Sequence, residues 1–304
     1  TLFPYTTLFR SLKSQIQKSK AAILYPPRGL HTIIFGETGT GKTMFAECMY
    51  RFAVSAKVLD ESAPFVTFNC ADYAQNPQLL YGHIFGVKRG AFTGAEETRV
   101  GLMEQADGGI LFLDEIHRLP PEGQEMLFTF IDKGTFRSLG DGQEKQASVQ
   151  IIGATTETSS MFLSTFNRRI PMQIELPSLA ERSLDERLAI IKEFLQQEAN
   201  RLMQEIAIDK RSLLAFLLYN AEGNIGQLKR DLKLVCAKAF LHHQTNSDSE
   251  KLMIVEEDLP LVVQKGLLRM NEVQDKLTPF MDKRNLYLTL KPGTEEVVWG
   301  QDPN

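Results

Sequence analysis

Eight residues constrain this chain more than any others: Gly36-Glu37-Thr38-Gly39-Thr40-Gly41-Lys42-Thr43. They fit the pattern G-x-x-x-x-G-K-[ST]. Residues 31–35 before them read as a short buried strand, and a helical pattern over 42–55 follows. Glycines let the backbone curl so that successive N–H groups point at phosphate oxygens. The N-terminus of the following helix adds a favourable dipole. Lys42 supplies a cation to the β- and γ-phosphates of a nucleotide, and Thr43 a hydroxyl to Mg²⁺. At background composition such a string arises in roughly one chain of this size in a hundred. Its place between a strand and a helix lowers the odds of coincidence further. A glycine-rich turn without a ligand is the competing reading. A strand–loop–helix unit of this kind calls for an α/β architecture.

The surrounding pattern extends it. Residues 65–68, 110–113, 149–154 and 173–176 read as further strands, with a helical pattern over 123–131. Continuous apolar runs such as Ile110, Leu111, Phe112 and Leu113 are typical of parallel strands buried on both faces. Strands alternating with helices predict a doubly wound parallel five-stranded sheet with right-handed crossovers. Pro177-Ser178 marks a break. Beyond it residues 184–203, 210–219 and 225–242 are amphipathic at helical period, with Asn224 placed to cap the last helix. The expected organisation is an α/β ATPase domain over 11–178 and a helical lid over 179–265. The tail, 266–304, reads as a linker or the start of another domain. Residues 1–10 fit nothing that follows and are set aside as unassigned or artefactual.

Two acidic residues, Asp114 and Glu115, close the strand at 110–113. Carboxylates there sit at the C-terminal edge of a parallel sheet, where open α/β folds bind ligands. Asp114 is placed to organise Mg²⁺, and Glu115 to orient and deprotonate an attacking water. A solvated strand end is the plainer alternative.

Composition excludes several other classes. At 304 residues the chain can bury one α/β core and a smaller one. The formal net charge is −4, and DNA-gripping domains are usually basic, so this stretch is not expected to grip DNA. No apolar run is long enough to span a bilayer, so no membrane contact and a cytoplasmic setting are expected. Cys48, Cys70 and Cys236 match no zinc or redox spacing and read as buried thiols. His242-His243 complete no ligand set, and His117 reads as capping a turn.

Between the two ATP motifs lies Gly90-Ala91-Phe92-Thr93-Gly94-Ala95. Glycines at both ends allow a mobile tip. An aromatic and a hydroxyl on that tip form a contact pair, and Lys88, Arg89, Glu96 and Glu97 solvate its base. An ordinary surface loop with Phe92 tucked inward is the alternative. With the flanking motifs, this string makes the chain resemble the AAA+ ATPases of bacterial sigma-54-dependent activators, from about Ser11 to Leu268. Leu24-Tyr25-Pro26-Pro27 and Arg168-Arg169-Ile170-Pro171-Met172 look like the levanase-operon-regulator branch. That branch carries sugar-phosphotransferase regulatory domains after the ATPase.

The resemblance implies ATP hydrolysis in a ring, of six subunits in the family, in which the loop touches sigma-54 and follows the γ-phosphate state. DNA would be held by a domain outside this stretch. The resemblance also implies site residues. Asn69, in Phe68-Asn69-Cys70-Ala71, falls where the family's asparagine switches the catalytic glutamate; an Asn capping a strand end is the alternative. Thr155, in Ala154-Thr155-Thr156, falls at the γ-phosphate sensor, against an ordinary turn threonine. Arg168 falls on one of the two arginines that a neighbouring subunit contributes. The other position is Phe162 here, which leaves Arg169 as a substitute, or both arginines as a surface pair. The second sensor arginine is replaced by Gly226. Lys229 and Arg230 lie three and four residues on, on the same helix face, so either one reaches the nucleotide or both only solvate the helix. Two rival functions stay open: another AAA+ remodelling motor, and an ATP-gated interaction module with little turnover.

Overall fold

The computed structural model describes residues 10–159, 169–245, 250–273, 277, 286–294 and 297–301. The chain divides into two compact units between Pro177 and Ser178.

The first unit begins with α1 (Lys13–Leu24), β1 (Thr32–Phe35), α2 (Lys42–Ser55), β2 (Phe65–Asn69) and α3 (Pro77–Phe85). It continues through the short α4 (Leu102–Gln105), β3 (Ile110–Asp114), α5 (Pro121–Lys133), β4 (Thr135–Phe136), β5 (Lys145–Gln146), β6 (Gln150–Thr155) and β7 (Met172–Glu175). Five strands form a parallel sheet in the order β2-β3-β6-β1-β7. The two-residue strands β4 and β5 pair as a separate hairpin, which the sequence pattern does not announce.

Both faces of the sheet are buried because both residue sets along each central strand are apolar. Ile33, Phe35, Leu111, Leu113 and Ile151 pack on one face with Leu80, Tyr81, Ile84 and Phe85 of α3 and Leu127, Phe128 and Phe130 of α5. Ile34, Ile110, Phe112, Ile152 and Ile174 pack on the other with Ile16, Ala22 and Ile23 of α1 and Phe45, Ala46 and Met49 of α2. Local chemistry sets the helix ends. Asn76 accepts the Leu79 N–H ahead of α3, with Pro77 at the first helical position. Pro121 opens α5 and Gly134 closes it at φ 72°.

The second unit contains α6 (Leu184–Leu202), β8 (Ile206–Asp209), α7 (Lys210–Leu218), α8 (Asn224–Thr245), β9 (Leu252–Ile254), α9 (Leu261–Gln264), β10 (Leu286–Leu290) and β11 (Val297–Gln301). Ser183 and Asp209 cap α6 and α7 through the N–H groups of Glu186 and Ser212. Besides its helices this unit carries a mixed sheet in the order β11-β10-β8-β9, absent from the sequence expectation of helices alone. The run Leu286-Tyr287-Leu288-Thr289-Leu290 alternates at period two and pairs antiparallel with β8, with Leu288 and Leu290 fully buried. The tail thus contributes strands to the second unit, where a linker or the start of another domain was expected.

Asn224 differs from its expected role. It is buried, at φ 55°, and its side-chain oxygen accepts the Leu179 N–H at 2.8 Å. Gln227 closes the start of α8 instead, accepting the Gly223 N–H at 2.7 Å.

Candidate nucleotide site

The site forms where β1, β3 and β6 end together. Phe35 is in register with Thr155, and the Gly36 N–H donates to the Thr155 carbonyl at 3.2 Å. The phosphate loop therefore leaves the sheet beside the end of β6. Gly39 and Gly41 have φ of 81° and 97°, a region that other residues enter only under strain, and Gly41 leads directly into α2. Thr40 is buried and its hydroxyl donates to the Glu37 carbonyl at 2.8 Å, bracing the loop from inside.

Lys42 folds back onto this loop, donating to the carbonyls of Gly36 at 2.8 Å and Glu37 at 2.9 Å. Burial pushes its ammonium below the ordinary lysine value, against an upward pull from Asp114, Glu115 and Glu37. These two carbonyls hold the ammonium at the mouth of the loop, where a phosphate can displace them. Thr43 is exposed on the first turn of α2, and its hydroxyl makes no hydrogen bond among the described residues.

Asp114 ends β3, and its Oδ1 accepts the Glu115 N–H at 2.9 Å. Among the described residues no group of three or more His, Cys, Asp or Glu could hold a metal ion. One carboxylate and one hydroxyl suit Mg²⁺, which keeps waters and takes substrate phosphates as its other ligands.

Glu115 has φ 50° and ψ 42°, a left-handed conformation for a residue with a side chain. Such strain gathers at functional positions. Its carboxylate stands 3.3 Å from His117 Nε2. The other ring nitrogen, Nδ1, lies 2.8 Å from Thr155 Oγ1. His117, expected only to cap a turn, thus joins two predicted site residues. Gly153 permits the approach, since a Cβ there would meet Ile116 Cδ1 at 2.8 Å. The sequence placed His117 two residues past Glu115, but its partner Thr155 lies 38 positions away.

Asn69 pairs in register with Asp114 across β2 and β3. Its Oδ1 accepts the Ala71 N–H at 2.9 Å, so it does cap the strand end, and no hydrogen bond joins it to Glu115. Cys70 beside it is fully buried, and burial together with Asp114 and Glu115 pushes its thiol up to about 12. That makes it an inert thiol rather than a nucleophile.

Arg168 and Phe162 lie outside the described residues. Arg169 is exposed and engaged within its own subunit, 3.3 Å from Asp132 and stacked 4.8 Å above the Phe128 ring. Lys229 and Arg230 are exposed on α8 of the second unit, with the Lys229 ammonium 5.5 Å from the Phe194 ring.

The 90–95 loop rises from an anchored base. Val87 and Arg99 exchange both backbone hydrogen bonds, at 2.9 and 2.8 Å, and Lys88 N–H donates to the Leu139 carbonyl. Gly90 and Gly94 have φ of 82° and 99°, with open space where a side chain would stand. Backbone conformation, not crowding, is what asks for glycine there. Thr93 is exposed at the tip. Phe92 is half-buried and lines a pocket of about 130 Å³ with Leu79, His83, Val87 and Val100. Tip hydroxyl out and aromatic ring partly in is a mixture of the two alternatives drawn from sequence.

A five-stranded parallel sheet with a phosphate loop after β1 and an acidic pair after β3 defines a P-loop ATPase fold of the AAA+ type. Solved structures share it. NtrX from Brucella abortus in complex with ATP superposes with a TM-score of 0.66 at 22% identity, covering 83% of this chain and 53% of that one. A RuvB mutant from Thermotoga maritima gives 0.59 at 18%, over 89% and 73%. Residues 8–175 match the Sigma-54 interaction domain, and the chain belongs to that family. It is 46% identical to the transcriptional regulatory protein LevR of Bacillus subtilis over 94% of its own length and 31% of the relative's. It is 49% identical to the transcriptional regulatory protein DagR of Salmonella typhimurium over 80% and 26%. The chain therefore spans about a third or less of these relatives. Among the described residues no helix is long and apolar enough to cross a membrane.

Proposed function

We propose that this chain is the ATPase module of a sigma-54-dependent transcription activator, which hydrolyses ATP to remodel sigma-54 RNA polymerase. The observation that carries the reading is the anchored 90–95 loop, glycine-ended and presenting Thr93, on the same unit as the phosphate loop and the acidic strand end. Another AAA+ motor would need the ATP site but not this loop.

In this reading the loop 36–43 cradles the phosphates, and Lys42 exchanges its own carbonyls for phosphate oxygens. Thr43 and Asp114 hold Mg²⁺, whose contribution when bound is to neutralise charge on the phosphate oxygens. Glu115 orients and deprotonates the attacking water, while Asn69 and Thr155 report the γ-phosphate state. Arg168 or Arg169 completes the site of a neighbouring subunit in a ring, proposed to be a hexamer. Such a group is worth about 4–7 kcal/mol of barrier. Lys229 or Arg230 supplies a cation from the second unit. DNA is held elsewhere in the longer protein, and the setting is cytoplasmic.

Steady-state ATP hydrolysis tests the site. Wild type is expected to turn over ATP, and Lys42→Ala to lose turnover by at least 100-fold, on the order of one lost charge contact in a transition state. Normal hydrolysis in Lys42→Ala would refute the assignment. A wild-type chain that binds ATP without turnover would favour the gated interaction module.

A further inference from the structure

Thr155 is fully buried at the end of β6. Its Oγ1 accepts the Glu157 N–H at 3.1 Å and lies 2.8 Å from His117 Nδ1. His117 is itself largely buried, and its Nε2 stands 3.3 Å from Glu115 Oε2. For a neutral ring, one arrangement suits all three groups. The Thr155 hydroxyl donates to Nδ1, and the Nε2–H faces the carboxylate. The opposite tautomer would turn a nitrogen lone pair toward a negative oxygen. The Glu115 carboxylate makes no side-chain hydrogen bond among the described residues, so His117 is its near neighbour, and Asn69 is occupied by Ala71.

We infer that His117 is a positioning residue that couples the γ-phosphate sensor Thr155 to the catalytic carboxylate Glu115. A hydroxyl carries a single proton. When Thr155 donates it to a phosphate oxygen, Nδ1 loses its donor, the imidazole is freed to reorient, and the hold on Glu115 changes with it. Nucleotide state at the end of β6 is thereby passed to the base at the end of β3 through one side chain. The inference rests on the proposed ATPase reading.

The test is a double-mutant cycle on the full chain, with kcat and KM for ATP measured for His117→Ala, His117→Gln, Thr155→Val and Thr155→Val/His117→Ala, alongside Glu115→Gln. A coupled pair predicts that His117→Ala and Thr155→Val each lower kcat about 10-fold, that KM moves by less than about 2-fold, and that the double variant is no slower than the slower single one. His117→Gln, with one donor and one acceptor, is expected to recover most of the loss. Multiplying losses in the double variant, or full turnover in His117→Ala, would overturn the inference. So would equal losses in kcat and nucleotide affinity that Gln does not rescue, which is the pattern of a structural role. If His117→Ala melts early, the same cycle run with His117→Phe, which fills the ring's space but offers no donor or acceptor, decides by additivity. Wild-type turnover in Glu115→Gln would instead sink the ATPase reading itself. A dead Glu115→Gln with a fully active His117→Ala would sink only the coupling.

Discussion

At the scale of single residues, histidines divide by what their second nitrogen meets. His117 faces a hydroxyl and a carboxylate. His31 is packed near Phe130, and its Nδ1 accepts the Ile151 N–H at 3.0 Å. Protonating that nitrogen would break the bond, and burial lowers the imidazole from 6.5 to about 4. Between those values the unfolded chain binds a proton that the folded chain refuses. The stability His31 contributes is therefore full above pH 6.5 and is lost as pH falls through about 4. His31→Gln keeps an acceptor without the titration. Denaturant unfolding from pH 7 to pH 5 is expected to show a decline shallower by about 2 kcal/mol in that variant, at 1.36 kcal/mol per unit. Parallel declines would contradict this account.

At the scale of elements, the pieces whose identity depends on neighbours in sequence were legible, and those that depend on distant partners were not. α2 begins where the phosphate loop ends because Gly41 is followed by helix formers, and it runs over the predicted 42–55. β1, β3 and β6 carry apolar residues on both faces, so their burial was readable from composition alone. β8 is four residues between two helices, and β10 joins the sheet by pairing with it, about 80 residues away along the chain, and with β11. Their short runs carry too little periodicity to compete with helical neighbours. The site shows the same division. The phosphate loop, Asp114 and Glu115 are contiguous motifs, whereas the contact of His117 with Thr155 depends on the pairing of β3 with β6, with Gly153 leaving room for Ile116.

Asn224 illustrates an element held by a remote contact. Its oxygen serves Leu179, and its backbone is left-handed. Asn224→Ala removes a buried acceptor, about 1–3 kcal/mol, and adds left-handed strain of about 1 kcal/mol. A total loss near 2–4 kcal/mol is expected in denaturant unfolding of the second unit. A change below about 0.5 kcal/mol, the range of ordinary surface substitutions, would show that this hydrogen bond holds nothing.

At the scale of the whole molecule, one unit carries both the proposed ATP site and the loop proposed to meet the partner. The phosphate loop and the 90–95 loop both belong to the first unit, and the latter is tied at its base by Val87, Lys88 and Arg99. Glycines at φ 82° and 99° leave the tip able to change conformation at little cost. In the proposed ring, several tips would face one partner. A net charge of −4 fits the proposed target, which is a protein and not DNA.

The measurement that tests this most directly is capture of purified sigma-54 by this chain in the presence of ADP and a γ-phosphate transition-state analogue, with Thr93→Ala alongside. The expected result is capture that requires the analogue and is lost in Thr93→Ala, while that variant keeps wild-type ATP hydrolysis. Capture without nucleotide, or capture undiminished in Thr93→Ala, would contradict it, as would no capture by a chain that hydrolyses ATP and assembles normally.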